Sequence, residues 1–304
     1  MDKRTVELLE RFGSFGSFTE ACVGTATFLE SRLGISNWVL TRIVDGNMIV
    51  LDQFGSGPPV IEPGAIVPYE DSMCHQLIER RAPMVVPDAL DQPLYSCVKV
   101  RNDACIRAYV GCVLLDNDGE LFGTFLGLSQ EPASVEIVRE EPLLMCMANL
   151  LSTLLAHEIL MCRMARQVQR NDLLHLQLEP EIYIYEGWER FLGFEEMRCR
   201  TYGSPCGMVS IRCTEGDPVA DFLGNLLVQT LRPTDFVARM DDGSWAVLLP
   251  DTNREGTDTA AKRLTQAVHG VTPTAAITWT SRPPESNLFA TYERLKAAPN
   301  VRAA

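Results

Sequence analysis

Basic residues are scarce beside acidic ones: 27 lysines and arginines stand against 40 aspartates and glutamates, giving a formal charge of −13. A molecule of that sign repels phosphate backbones, whose neutralisation supplies most nucleic-acid affinity, so no nucleic-acid partner is expected. The same sign opposes adhesion to an anionic membrane surface. No uninterrupted apolar run approaches the roughly 18–20 residues of a membrane span. The opening MDKRTVELLERF is charged at every turn and lacks the apolar core of a signal peptide, so a cytoplasmic protein without membrane contact is expected. Ten cysteines occur, yet none forms a CxxC pair, and the four histidines are scattered. No metal site and no cofactor are therefore expected. Most of the thiols lie in apolar runs such as YVGCVLL and LLMCMANLL, where cysteine behaves as a small hydrophobe, which fits a reducing compartment. Gly-rich phosphate loops, nucleophile constellations and low-complexity tracts are absent.

What is present suits two domains, since 304 residues is twice an ordinary domain. Apolar residues at helical spacing over residues 5–33 predict two helices broken near the glycines at 13 and 16. The period then changes. Residues 38–43 and 48–54 are β-branched or aromatic runs around Asp45-Gly46-Asn47, a hairpin in which Gly and Asn accept positive φ. A Gly/Pro-rich loop leads to a helix of about ten residues starting near Ser72, with Asp71 as its expected N-cap. MVVPD reads as a short strand, residues 88–107 as irregular chain, and residues 108–115 and 120–128 as a second hairpin around Asp116-Asn117-Asp118-Gly119. That order predicts an antiparallel sheet with helices packed on it, an α+β arrangement.

Between residues 143 and 170 there is no Gly or Pro, and Leu144, Met147, Leu151, Leu154, Met161, Ala165 and Val168 recur at spacings of three and four. Such a row pairs with another helix in a dimer stalk, or it packs a terminal helix on its own sheet. The spacing, sustained over several heptads, favours the stalk, although Glu158 interrupts it and the run is short. The remainder alternates: helix at 188–200, strand at 207–212, helix at 219–231, strands at 236–240 and 244–249 around Asp241-Asp242-Gly243, helix at 256–269, strand at 274–280, helix at 288–298.

Two resemblances follow from these segments. DSMCHQLIERRAPMVVPDALDQPLYS and DNDGELFGTFLGLS, within residues 68–131, resemble the second half of bacterial GAF domains, small-molecule sensor modules of the α+β type. The signature of cyclic-nucleotide GAF domains is missing, so the resemblance implies a sensor of unnamed ligand. GWERFLGFEEMRCRTYGSPCGMVSI and LRPTDFVARMDDGSWAVLLPDT, within residues 187–264, resemble the GGDEF domain of diguanylate cyclases, whose fold is a nucleotidyl-cyclase-type α/β sandwich.

The departures from that family matter more than the matches. The signature hairpin reads Asp241-Asp242-Gly243-Ser244-Trp245. Carboxylates replace the glycines that let nucleotide approach the backbone, and Gly243 and Ser244 offer no metal ligand. After Ile211 the chain runs through Arg212-Cys213-Thr214-Glu215-Gly216-Asp217 directly into the next helix, so the family's metal aspartate and guanine-binding segment are missing. Lys296 still matches a phosphate-facing lysine. Arg232-Pro233-Thr234-Asp235 matches the RxxD motif of the family's inhibitory site for cyclic di-GMP, and Arg263 falls at the position of that site's second arginine. Arginine chelates phosphate and stacks on guanine, which makes the chemistry sensible. A solvated helix end at Arg232 followed by a Pro-Asp turn explains the same residues without a ligand. Other candidates carry less. Cys74 and His75 are adjacent on a helix and face different ways, which disfavours a redox or haem site, and Glu140-Glu141 and Glu195-Glu196 read as solvated helix faces.

The sequence therefore predicts a GAF-like domain at residues 1–135, a linker helix at 136–171 and a degenerate GGDEF-like domain at 172–304. The expected function is non-catalytic signalling in bacteria: a homodimer with a signalling partner protein, reading cyclic di-GMP through Arg232, Asp235 and Arg263. The alternative is a ligand-controlled dimeric scaffold, and a residual diguanylate cyclase is a third possibility.

Overall fold

The computed structural model describes residues 15–96, 98–213 and 222–297. The first predicted helix, Cys97, the segment from Thr214 to Asp217 and the start of the 219–231 helix lie outside the described residues. The chain is α+β and divides into two compact units, Met1–Arg163 and Met164–Ala304, each built on its own six-stranded sheet.

In the first unit, helix α1 (Phe18–Leu33) begins at Ser17, whose hydroxyl accepts the Glu20 amide at 3.2 Å, and ends at Gly34 with φ +71°. Strands β1 (Asn37–Val44) and β2 (Asn47–Phe54) follow as a hairpin whose two connecting residues, Asp45 and Gly46, both have positive φ, 50° and 73°. Then come β3 (Ile66–Pro68), α2 (Met73–Glu79), β4 (Val85–Val86), the short helices α3 (Pro93–Ser96) and α4 (Lys99–Asp103), and the hairpin of β5 (Ala108–Leu115) with β6 (Leu121–Ser129). The strands are all antiparallel, in the order β3-β2-β1-β6-β5-β4.

Three local expectations are corrected. The N-cap of α2 is Ser72 rather than Asp71, its hydroxyl accepting the His75 amide at 3.2 Å, and the helix has seven residues. Residues 88–107 are not wholly irregular, because their apolar side chains, Tyr95, Val98 and Val100, are turned under the sheet by α3 and α4.

Both faces of this sheet are covered. Cys22, Ala26 and Leu29 of α1 pack on one face, and Met73, Cys74, Tyr95 and Tyr109 form the core of the other. Helix α5 (Glu141–Asp172) contributes to the first face through Leu144, Ala148, Leu151 and Leu155. Leu144 and Leu151 are thus core of their own domain and not part of a stalk interface. Glu158, which breaks the apolar row, accepts the first amide of α1 at Phe18, 3.2 Å away. The stretch Val135–Asp172 is also long and apolar enough, by length and composition, to cross a membrane, with a mean hydropathy of 1.6 in its most apolar window. The sequence expectation counted uninterrupted runs, and Asn149, His157 and Glu158 divide this one.

The second unit starts inside α5. It continues with β7 (Gln177–Glu179), β8 (Ile182–Tyr183), α6 (Tyr185–Tyr202), β9 (Cys206–Arg212), α7 (Leu223–Thr230), β10 (Phe236–Arg239), β11 (Trp245–Pro250), α8 (Arg254–His269), β12 (Ala276–Ser281) and α9 (Leu288–Ala297). The sheet order is β12-β9-β11-β10-β8-β7, and among the described residues only the β10–β8 pair is parallel. Trp188, Phe191, Phe236 and Tyr292 fill the layer on the α6 and α9 side, while Leu227, Ala261, Leu264 and Val268 pack α7 and α8 on the other.

Glu195 and Glu196 correct another expectation. Both are buried: Glu195 takes a forked pair of hydrogen bonds from Arg166, and Glu196 accepts the Leu288 amide at 2.7 Å, satisfying a helix start.

Candidate cyclic di-GMP site

The residues Arg232, Pro233, Thr234 and Asp235 form the turn between α7 and β10. The turn is closed twice: the Asp235 amide donates to the Arg232 carbonyl at 3.0 Å, and the Arg232 amide donates to Asp235 Oδ2 at 2.9 Å. Pro233 presets the φ that such a turn needs after its first residue. The turn role considered for Pro233 and Asp235 is therefore real, and it leaves the Arg232 side chain exposed. Arg263 is exposed on α8, whose inward positions Ala260, Ala261 and Leu264 are buried. Neither guanidinium forms an ion pair among the described residues.

Asp235 is only 5% exposed, and it feels the charges of Arg232, Arg263 and Arg170 together. Burial pushes its carboxyl above the ordinary carboxylate range, against the Arg232 amide and those three cations, which pull it down. The structure thus brings the three sequence-predicted residues within electrostatic reach of one another.

Two residues of this neighbourhood were missed by the sequence reading. Arg170, near the end of α5, donates through Nη1 to the carbonyls of Pro233 at 2.6 Å and Asp235 at 3.0 Å, and its other terminal nitrogen pairs with Glu181. Glu181 sits in the β7–β8 turn with φ +63° and is half-exposed. A cavity of about 330 Å³ opens here, walled by Arg170, Glu181, Arg232 and Asp235 and floored by Leu231 and Val237. A sequence signal for the hairpin existed: Leu176-Gln177-Leu178 and Ile182-Tyr183-Ile184 alternate on either side of Glu179-Pro180-Glu181. Nothing in the sequence marked Arg170.

The Asp241–Trp245 hairpin lies at the other end of β10. Asp242 is tied back onto its own turn, where Oδ1 accepts the Ser244 amide at 2.9 Å and the Ser244 hydroxyl at 2.6 Å, and Gly243 has φ +78°. Burial opposes ionisation of Asp242, but these two hydrogen bonds and the charges of Arg212 and Lys296 hold its carboxyl below the usual range. Trp245 is buried, with the Arg239 guanidinium 4.7 Å from its ring centroid. Lys296 pairs with Glu293 at 2.7 Å and lies 5.0 Å from the Tyr292 ring centroid. Among the described residues no three His, Cys, Asp or Glu side chains converge to hold a metal ion. Cys74 and His75 are not brought together. Cys74 is buried against Thr124, 3.2 Å away, and burial pushes its thiol up to about 11, while His75 stands edge-on to Tyr69 at 5.2 Å.

With this geometry in hand, comparison with protein families matches residues 213–283 to the family described as diguanylate cyclase, GGDEF domain. Residues 213–283 carry a GGDEF domain. Turn, hairpin and α8 all fall inside that domain. No curated protein matches the chain. Among solved structures, the chain is similar to residues 158 to the C-terminus of PelD from Pseudomonas aeruginosa PAO1, at 20% identity over 90% of this chain and 87% of that one, with a TM-score of 0.35. It is similar to the coiled coil and GGDEF domain of DgcB from Caulobacter crescentus, solved in complex with c-di-GMP, at 13% identity over 45% of this chain and 84% of that one, with a TM-score of 0.37. A far-red cyanobacteriochrome photoreceptor is similar at 16% identity over 51% of this chain and 95% of that one, with a TM-score of 0.39.

Proposed function

We propose that this protein is a non-catalytic signalling protein whose GGDEF domain binds cyclic di-GMP through Arg232, Asp235 and Arg263, downstream of a GAF-type sensor domain. One observation carries the reading: Arg232 in the RxxD turn and Arg263 on α8 are both exposed, neither forms an ion pair among the described residues, and the charges of both act on the buried Asp235 carboxylate. Guanidinium chelates phosphate or the O6/N7 edge of guanine, and a ligand with two phosphates and two guanines offers both. The charge of −13 opposes a dianion at long range, but salt screens charges beyond roughly 8–10 Å, so the local cations decide. The six-stranded antiparallel sheet with helices on it supports the GAF-type assignment of the first unit. The loss of catalysis is supported by the hairpin, where Asp242 is occupied by Ser244 and Arg212 brings a positive charge.

Calorimetric titration of the full chain with cyclic di-GMP tests the reading. Saturable binding is expected, and Arg232→Ala loses a charge-assisted contact of about 1.5–3 kcal/mol, or roughly ten- to a hundredfold in affinity. No heat at high micromolar messenger, or an unchanged Arg232→Ala variant, overturns it and leaves the GGDEF fold as a contact scaffold.

A further inference from the structure

The β7–β8 turn puts a glutamate where the backbone prefers glycine. Pro180 and Glu181 are its two turn residues, and Glu181 has φ +63°, a left-handed conformation that glycine or asparagine adopts with least strain. Arg170 holds the side chain there: its Nη2 pairs with Glu181 Oε2, and the arginine side chain is only 6% exposed. Among the described residues no donor reaches the other carboxylate oxygen, Oε1. The Glu181 side chain is 52% exposed and stands on the wall of the cavity of about 330 Å³ beside the RxxD turn. A charged oxygen anchored by a buried arginine at a cavity wall keeps its remaining lone pairs for a ligand.

Size and lining select what enters. Ligand pockets start at about 300 Å³, so this one has room for a single base of a dinucleotide and not for the whole molecule. Leu231 and Val237 give an apolar floor for the face of a ring, and the exposed Arg232 stands at the wall for the phosphate joined to it. Guanine presents two adjacent donors on its pairing edge, N1–H and N2–H2, and one carboxylate accepts both. Adenine presents the N1 lone pair beside N6–H2, so the same carboxylate sets one lone pair against another. Asp235, the other carboxylate at the wall, is 5% exposed and has Oδ2 taken by the Arg232 amide at 2.9 Å, which leaves Glu181 as the acceptor with a free oxygen.

Resting on the cyclic di-GMP reading above, we propose that Glu181 selects the base: its carboxylate accepts from N1–H and N2–H2 of the guanine that enters the cavity and rejects adenine. Arg170 is then a positioning residue that aims it. Calorimetric titration of the full chain with cyclic di-GMP and with cyclic di-AMP tests this on the wild type, Arg232→Ala, Glu181→Gln and Glu181→Gly. The wild type should prefer cyclic di-GMP by about a hundredfold or more. In Glu181→Gln the amide still offers Arg170 an oxygen, but it now donates to adenine N1 and accepts from N6–H2. Cyclic di-GMP affinity should fall about tenfold and cyclic di-AMP affinity should rise, with far-UV circular dichroism unchanged. Glu181→Gly suits the positive φ of the turn and should also lose the preference for guanine. A wild type that binds neither messenger overturns the cyclic di-GMP reading and this inference with it. A wild type whose cyclic di-GMP binding depends on Arg232 keeps that reading. This inference alone then falls if the wild type binds both messengers equally, or if neither Glu181 variant gains on cyclic di-AMP relative to cyclic di-GMP, since a merely structural glutamate would change both affinities by one factor.

Discussion

Arg166 forks onto Glu195: Nε lies 2.8 Å from Oε1 and Nη2 lies 3.1 Å from Oε2, with both side chains at most 5% exposed. Arg166 also reaches Asp251 at 2.8 Å, and Arg198 shares Glu195 at 2.5 Å, so one buried carboxylate serves two guanidinium groups from two helices.

Removing that carboxylate leaves Arg166 with Asp251 and Arg198 with the Gln169 amide oxygen, each short of its buried anionic partner. Breaking a buried pair by deleting one partner costs about 3–5 kcal/mol, whereas replacing both partners with apolar groups is often neutral. Glu195→Ala should therefore destabilise the second unit by about that amount in urea denaturation, and Glu195→Gln by less, since its amide oxygen still accepts. An unchanged midpoint for Glu195→Ala would sink the assignment.

Arg170 holds the RxxD turn from behind, through the carbonyls of Pro233 and Asp235. Arg170→Ala leaves both without their charged donor, and hydrogen bonds to charged groups are worth about 1.5–3 kcal/mol each. A loss in that range is expected by urea denaturation, with Arg170→Lys retaining part of it because an ammonium meets one carbonyl well and the fork is lost. Equal stability of Arg170→Ala and wild type would show that the turn holds itself.

The legible parts of this chain were those that local chemistry dictates. Asp45-Gly46 between two β-branched runs left one solution, and Asp241-Asp242-Gly243 likewise placed β10 beside β11. The α+β class followed from the order of elements. Arg232 and Asp235 were singled out through a resemblance, because a turn motif survives as a string, and the turn itself is present. What the sequence hid depends on tertiary partners. Glu195 and Glu196 look like a solvated face until Arg166, Arg282 and the Leu288 amide arrive from distant segments. The α5 row mixed two faces, because Leu144 and Leu151 pack on the sheet while Leu154, Met161 and Val168 of the same row are exposed, and only the sheet beneath decides which positions face inward.

Asp88 predicts a pH dependence for the first unit. Arg107 hydrogen-bonds its carboxylate, with Nε 2.8 Å from Oδ1, and holds it at about 2, below an ordinary aspartate near 4. A carboxyl depressed in the folded state contributes stability that is full above its unfolded pKa and is lost as pH falls through the folded value. The gap in urea midpoint between wild type and Asp88→Asn should therefore be widest at about pH 5 and shrink toward about pH 2. A gap that stays constant over that range would mean the Asp88 charge contributes nothing.

Gly123 tests the β1–β6 pairing. A Cβ built there would stand 2.0 Å from the Thr41 carbonyl oxygen and 3.0 Å from the Arg42 Cα, both backbone atoms of the neighbouring strand that cannot swing aside. Gly123→Ala should force the strands apart next to the buried Thr41–Thr124 hydroxyl pair, 2.7 Å apart, and cost about 1–3 kcal/mol or more. Thermal melts of the two proteins compare them directly, and an unshifted melt would contradict the pairing.

Catalysis of cyclic di-GMP formation should be absent. Phosphoryl transfer rests on positioning and on neutralising charge at the phosphates, supplied mainly by metal ions on carboxylates. Here the hairpin carboxylate best placed to bind a cation, Asp242, is consumed by the Ser244 amide and hydroxyl, and the adjacent strand end carries Arg212, whose guanidinium donates to the Lys296 carbonyl and would repel a metal ion. Replacing Arg212 alone by aspartate would not free Asp242, because its two hydrogen bonds are local to the turn. Purified wild type and Arg212→Asp, incubated for hours with GTP and magnesium or manganese, should both give chromatograms without cyclic di-GMP. A product peak that tracks the wild-type protein through purification and disappears in Asp242→Ala would make the hairpin an active site and end the non-catalytic assignment.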